Sequence, residues 1–281
     1  MSELIPELDH VVINVGEQLD EAAERYRRLG FQLTERGHHS LGSSNHLAIF
    51  HNNYLELLGF EPGRGHLRKA LWQSPPGLSG LVWKTQDADA VYRHLQQREL
   101  AGDAAASFFR PVTLPDGSLQ EARFRTVALQ AEKVPNGRSF FCQHLTPDAV
   151  WQPAWQVHPN GVTHISEFVI ASRDPAEAAA VYGQLFGEQQ VDVLDSGERQ
   201  IGAGDAVVRF LSSDRASAEW GALPADYDGS TRMIALGFRT RSLAQVHDSL
   251  AQGDIPFSED ERGVHVSAGS GGQLALRFSP V

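Results

Sequence analysis

One unit recurs four times along the chain: a short apolar strand, an amphipathic helix that stops near a glycine, then a run of hairpin-linked strands. The first copy opens with Leu8-Asp9-His10-Val11-Val12-Ile13-Asn14-Val15, a β-branched run. It continues into residues 19–29, where Leu19, Ala22, Ala23, Tyr26 and Leu29 share one helical face before Gly30 supplies a left-handed stop. The second copy pairs Leu81-Val82-Trp83 with a helix over residues 87–95, for which Asp87 is the N-cap and Val91 and Leu95 share a face. The third has its strand at residues 165–171, Asp174-Pro175 as cap and first helical residue, a buried stripe of Ala178, Val181, Tyr182 and Leu185, and Gly187 as the stop. The fourth joins Met233 to Phe238 to a helix capped by Ser242, with Leu243, Val246 and Leu250 inward before Gly253. The copies begin roughly 70 to 85 residues apart, too far for a solenoid and suited to a small α+β module.

The strands after each helix rule out a doubly wound parallel sheet. After Gly30 come Phe31 to Thr34, His46 to Phe50 and Tyr54 to Leu58, divided by Gly/Ser-rich and Asn52-Asn53 turn signals, with no second helix between them. The later copies close in the same way, with residues 124–129 and 138–144, then 206–211, then 263–266 and 273–278. The expected class is therefore α+β: four βαβββ modules paired into two cup-shaped mixed or antiparallel sheets, helices outside. Pro147, Pro153, Pro159 and Gly161 break both strand and helix between Thr146 and Gly161, which predicts two pairs of modules, residues 1–150 and 151–281.

The balance of charge narrows the partners. A formal charge of −11 without clustered Lys and Arg argues against a nucleic-acid surface. No run approaches the roughly 20 apolar residues of a membrane helix, and Met1 to Asp9 lacks the regions of a signal peptide. Cys142 is the one cysteine, so no disulfide forms within the chain and a reducing, cytoplasmic location is expected.

The four modules, the opening Leu8-Asp9-His10-Val11-Val12-Ile13 and the strand Asn53-Tyr54-Leu55-Glu56-Leu57 together resemble the vicinal oxygen chelate superfamily, which includes glyoxalase I, extradiol dioxygenases, fosfomycin-resistance enzymes and bleomycin-binding proteins. The first half is most similar to its glyoxalase-like domain proteins. The resemblance implies a divalent metal inside a cup, held by residues of the first and last strands of each module. Carried onto this chain it gives His10 and Glu56 from module one. From the last strand of module two it gives His144, with Gln143 in its place if the register differs by one. Two imidazoles and a carboxylate leave open positions on Fe(II), Zn(II), Ni(II) or Mn(II), so the implied site is catalytic. Gly80 or Leu81, at the first-strand position of module two, ligates nothing, which departs from a four-ligand pattern and from a glyoxalase I reaction.

A hydrogen-bonded core histidine and a solvated strand glutamate are the plainer readings of His10 and Glu56. His46 shares the face of Glu56 if the Asn52-Asn53 turn has three residues, and points away if it has two. His38 and His39 lie in a polar loop and are expected to be solvated. Arg123, Arg125 and Arg138 either bind an acidic substrate or guard an exposed edge. Trp83, Phe140 and Trp151 offer flat apolar surface to a ligand. In the second half, Glu167 or His164, Arg209, Ala235 or Leu236, and Ala275 or Leu276 stand at the ligand positions, too few donors for a metal.

Three functions are compatible with this pattern. The first is a metal-dependent lyase, isomerase or dioxygenase acting on a small substrate with vicinal oxygens, with Glu56 doubling as general base and His46, Trp83, Arg123 and Phe140 contacting substrate. The second is a metal-free protein that sequesters a small molecule, as the bleomycin-resistance type does. The third is a scaffold without chemistry. A monomer or a homodimer suits all three.

Overall fold

The computed structural model describes residues 4–281. Its first half consists of β1 (Leu8–Gly16), α1 (Leu19–Arg28), β2 (Gly37–His38), β3 (Ser44–Ile49), β4 (Tyr54–Gly59), β5 (Gly77–Lys84), α2 (Ala88–Gln97), β6 (Ala106–Thr113), β7 (Leu119–Ala128) and β8 (Arg138–His144). These strands make one sheet in the order β2-β3-β4-β1-β5-β8-β7-β6. In each module the first strand runs parallel to the last, β1 with β4 and β5 with β8, and the two modules join through the antiparallel pair β1 and β5. The edges of the sheet come back together: Ser40 donates its backbone N–H to the Phe109 carbonyl at 2.9 Å, and Phe109 donates to Ser40 Oγ at 3.2 Å. The cup is thereby almost a closed barrel.

The second half repeats the plan with β9 (Val162–Ser172), α3 (Pro175–Phe186), β10 (Asp192–Val193), β11 (Arg199–Ala203), β12 (Ala206–Ser212), α4 (Ser213–Trp220), β13 (Arg232–Thr240), α5 (Leu243–Gln252), β14 (Ser258–Asp260), β15 (Gly263–Val266), α6 (Ala268–Gly271) and β16 (Ala275–Pro280). The strand order is β10-β11-β12-β9-β13-β16-β15-β14. The class is α+β, with four βαβββ modules paired into two cups as the sequence predicts, and α4 and α6 are additions to the unit. Among the described residues no helix is long and apolar enough to cross a membrane.

Local chemistry sets the helix ends. Asp87 accepts from Ala90 N at 2.9 Å, and Asp174 from Ala176 N and Glu177 N at 2.9 and 3.1 Å, each satisfying donors that the helix leaves unpaired. The stripe expected on α3 is rotated: Ala179, Tyr182, Leu185 and Phe186 are buried, whereas Ala178 and Val181 are half-buried. The reason is a partner outside its own module, since Phe186 and Tyr182 pack on Trp83 of the first half at ring distances of 4.8 and 5.8 Å. Gly253, after α5, is right-handed, and the left-handed residue is Asp254 (φ +52°). Glycine is needed at 253 because a Cβ would lie 2.1 Å from the Arg28 carbonyl oxygen.

Strand alternation separates the apolar residues into layers. Val11, Ile13, Leu81, Trp83 and Phe141 of the first half share one core with Ile165, Phe168, Tyr182 and Phe186 of the second. Asn53 reinforces that seam, donating to the Ile165 carbonyl and accepting from Ile165 N, both at 3.0 Å. Inside the first cup lie Val12, Leu47, Tyr54, Val82, Phe124 and Phe140, and inside the second Val169, Leu211, Trp220 and Ile234.

Candidate functional site

A slip in strand pairing builds the floor of the first cup. Leu8 pairs with Trp83 and His10 with Val82, so Asp9 is an extra residue in β1 and sits beside His10 rather than behind it. Asp9 is fully buried, and its Oδ1 meets His10 Nδ1 at 2.6 Å and His144 Nε2 at 3.0 Å. Burial acts to raise the Asp9 carboxyl, but the two imidazoles and their hydrogen bonds hold it well below the usual carboxylate range. The ionised Asp9 accepts a hydrogen bond from His10 Nδ1–H, which turns the other ring nitrogen, Nε2, toward Glu56 Oε2 at 3.8 Å. Tyr54 fixes the plane of the ring by stacking on it at 4.3 Å, and Phe140 meets it edge-on at 5.8 Å.

Glu56 reaches the cup from β4, where it lies beside Val12 and opposite Leu47. Asn45 donates to its Oε1 at 2.7 Å, and His39 Nε2 stands 3.8 Å from the same oxygen. Burial favours the neutral carboxyl, but His39, His10, the Asn45 hydrogen bond and Arg138 together hold Glu56 below its ordinary value. His39 is itself buried, with Nδ1 on Ser43 Oγ at 2.8 Å, and burial pushes its imidazole down to about 4. It is therefore neutral at pH 7. The expectation of a solvated His39 fails because its loop folds over the cup and is tied to β6, while its neighbour His38 does remain exposed.

The other sequence candidates divide by strand parity. Phe140 lines the cup, and so does Arg138, whose guanidinium lies 5.0 Å from the Phe140 ring. His46 does not. Ile49 pairs with Tyr54 across a four-residue loop closed by Phe50 N to Asn53 O at 3.0 Å, so His46 stands opposite Leu57 on the far face and its Nδ1 meets the Thr34 carbonyl at 2.9 Å. Trp83 is also on the far face, entirely buried, its Nε1 donating to Ser139 Oγ at 2.9 Å. Arg123 lies between the inward Ala122 and Phe124, so it points outward and pairs with Glu121 at 2.5 Å. None of these three is placed to contact a molecule in the cup.

His144 is on the cup side of β8 but belongs to its other end, where it packs on Trp151 at 4.5 Å and lines a separate cleft with Asp9 and Lys84. Gln143 faces away and accepts from Ala88 N at 3.1 Å. The structure thus brings His10 and Glu56 together and gives His144 to Asp9. Among the described residues, the one group of three or more His, Cys, Asp or Glu with ligand atoms all within 4.8 Å of one another is Asp9, Cys142 and His144. There Asp9 Oδ1 is already shared by two histidines, and burial raises the Cys142 thiol well above its ordinary value.

At its first-strand position module two offers the cup no ligand, for a steric reason. A Cβ on Gly80 would lie 2.6 Å from Val12 Cβ, so the strand crossing excludes any side chain there. Glu56 is two residues beyond the β4 partner of His10, and Phe140 is two residues beyond the β8 partner of Gly80. The donors available to a divalent ion are therefore His10, Glu56 and, next to Glu56, His39. The chemistry of His10 and Glu56 fits such an ion: His10 Nε2 stands 3.8 Å from Glu56 Oε2, too far for a hydrogen bond, and its Nδ1 is held by the buried Asp9, as is usual for histidines that ligate metals. His39 Nε2 stands 3.8 Å from Glu56 Oε1 but also 3.2 Å from Asn45 Nδ2, and the ligand atoms of the three residues do not all draw within 4.8 Å of one another.

The remaining lining is cationic. Arg68, Arg110 and Arg138 reach the same cavity, which encloses about 630 Å³ including its open mouth. Arg68 Nη1 donates to Ser43 Oγ at 2.8 Å, but Nε and Nη2 of the buried Arg110 have no protein partner. Sequence reasoning does not single out Asp9, His39, Asn45, Arg68 or Arg110 for this site. One signal is present: in Phe108-Phe109-Arg110-Pro111-Val112 the arginine falls in phase with inward Phe108 and Val112.

In the second cup the charged side chains pair with one another. Glu167 of β9 receives Arg209 of β12 at 2.8 Å and also Arg277 of β16, while Glu219 of α4 receives Arg209 at 2.8 Å. Arg277 lies 4.0 Å from the Trp220 ring at the end of α4. Every arginine there has a carboxylate, and among the described residues no metal donor set forms in this cup.

Two eight-stranded cups of paired βαβββ modules, one with a histidine and a glutamate facing each other inside, define a vicinal oxygen chelate protein. The glyoxalase-like domain family matches residues 8–186, and the chain belongs to that family. None of the curated proteins matches it. Among solved structures it is similar over 99% of its length to a hypothetical protein from Staphylococcus aureus, with 13% identity, all of that chain covered and a TM-score of 0.65. It is similar also to a mutant of 4-hydroxymandelate synthase from Streptomyces coelicolor, with 12% identity, 99% of this chain and 93% of that one covered and a TM-score of 0.61. A fusion of a xylose isomerase-like TIM barrel with 4-hydroxyphenylpyruvate dioxygenase matches all of this chain with half of its own, at 13% identity and a TM-score of 0.58. At such identities these likenesses show the fold.

Proposed function

We propose that the first cup is the active site of a metal-dependent enzyme acting on a small substrate with vicinal oxygens, and that His10 and Glu56 hold the ion with His39 alongside. The supporting observation is the 3.8 Å separation of His10 Nε2 and Glu56 Oε2 inside the buried cup, with His10 Nδ1 held on Asp9 and Glu56 Oε1 held by Asn45. A divalent ion held there supplies a Lewis acid to adjacent substrate oxygens, the chemistry common to lyase, isomerase and dioxygenase reactions. Asp9 orients His10 by accepting from its Nδ1. Asn45 holds Glu56 by Oε1 and leaves Oε2 toward the gap. Glu56 is also the candidate base, but its surroundings keep it ionised, which suits it to hold a cation more than to carry a proton at neutral pH. Phe108, Phe124 and Phe140 exclude water from the cavity walls.

Metal analysis of the purified protein and of His10→Ala tests this. A stoichiometric divalent ion in the wild type, lost in the variant, is expected; no ion after incubation with Fe(II), Zn(II), Ni(II) or Mn(II) removes the proposal. The three guanidinium groups favour one second reading, a metal-free binding protein for a small molecule, which ligand binding by a protein that takes up none of these ions supports.

A further inference from the structure

We infer that the molecule taken by the first cup is a small organic anion, a carboxylate on a flat apolar body, and that Arg110 is its anchor. The inference rests on the reading of this cup as the functional site and adds the class of ligand.

Arg110 projects from β6 into the barrel and is 1% exposed. A guanidinium withdrawn from water to that degree is normally paired, because leaving its donors unmade forfeits hydration without return. Here Nε and Nη2 have no protein partner. The second cup is the internal comparison: the same fold buries Arg209 and Arg277 and gives each a carboxylate. In the first cup the one acid on the lining beside Arg68, Arg110 and Arg138 is Glu56, with the buried Asp9 carboxylate behind His10, so three guanidinium groups face two carboxylates inside a chain of net −11. A bound divalent cation adds to that excess, and an anion offsets it.

The site is also built to admit the side chain. A Cβ at residue 37 would lie 2.3 Å from Arg110 Cδ, so the glycine of β2 leaves the passage through which the arginine stem runs. A planar fork with two free N–H groups matches a carboxylate. Phe108 and Phe124 stack at 5.2 Å along the same wall, and Phe140 lies under Arg138, which provides a face for a flat apolar body.

Titration calorimetry with benzoate and its neutral isostere benzamide, on metal-free protein, tests the proposal. Wild-type protein is expected to bind benzoate at least about tenfold more tightly than benzamide, a difference of about 1.4 kcal/mol. Arg110→Met should lose benzoate binding, while the melting temperature of the ligand-free variant is unchanged or higher, because a buried charge without a partner has been removed. Arg110→Lys keeps the charge without the fork and should bind benzoate about tenfold more weakly than wild type. Equal affinity for the two probes, no benzoate binding, or benzoate binding unaltered in Arg110→Met or Arg110→Lys overturns the inference. His10→Ala separates it from the metal reading: that variant should lose the ion and keep benzoate. A protein that never takes up metal but binds benzoate through Arg110 refutes the enzyme proposal and leaves the anion site standing.

Discussion

Replacing Asp9 by Asn tests the support of the proposed site without touching its gap. The native carboxylate is fully buried and its Oδ1 accepts from His10 at 2.6 Å and His144 at 3.0 Å. Hydrogen bonds to a buried charge are worth about 1.5–3 kcal/mol each, against about 0.5–1.5 for neutral ones, so loss of the charge across two bonds removes about 2–3 kcal/mol. The new amide N–H groups replace Oδ2, which has no partner, and leave about 1–3 kcal/mol of unmet donors. Relief of the buried charge offsets part of this, and a net loss of about 3 kcal/mol is expected. Urea denaturation followed by tryptophan fluorescence measures it. The pH dependence carries the same signature. Asp9 has a folded pKa below its ordinary 3.8, so its contribution is complete above that value and disappears as pH falls from there toward the folded pKa. Wild-type stability should therefore decline below about pH 4 more steeply than that of Asp9→Asn. A loss under about 1 kcal/mol, or parallel acid profiles, refutes the account of Asp9 as the charged anchor of both rings.

Three further outcomes are expected from the packing and charge of the cups. Glu167→Gln takes the carboxylate from Arg277 and leaves Arg209 to Glu219, and should cost about 2–4 kcal/mol by urea denaturation while leaving benzoate binding in the first cup unchanged. Gly80→Ala drives a methyl group toward Val12 at 2.6 Å and should cost about 1–3 kcal/mol in the same assay. Saturating benzoate should tighten Mn(II) binding by calorimetry and Mn(II) should tighten benzoate by the same factor, since each offsets repulsion felt by the other; independent binding contradicts a shared cavity.

The fold is legible because period and punctuation agree within each module. Alternating strands, capped helices at Asp87, Asp174 and Ser242, and left-handed Gly30 and Gly187 are local signals that the structure uses unchanged. The faces of α3 and Trp83 are less legible, because contacts between the halves set them and no local pattern encodes those contacts. At the site, His10 and Glu56 agree with their strand positions, and Phe140 with parity on β8. The role of Asp9 depends on a one-residue slip in pairing, and that of His39 on a loop tied to a strand some 70 residues later. The orientation of His46 depends on the length of one hairpin loop, which has four residues rather than two or three.

The most direct measurement is the anomalous difference map of crystals grown with Mn(II), for wild type and Glu56→Gln. The account predicts a peak between His10 Nε2 and Glu56 in the first cup, absent or much reduced in the variant, and none in the second cup. A wild-type map without a peak there, or with its peak at Asp9, Cys142 and His144, contradicts it.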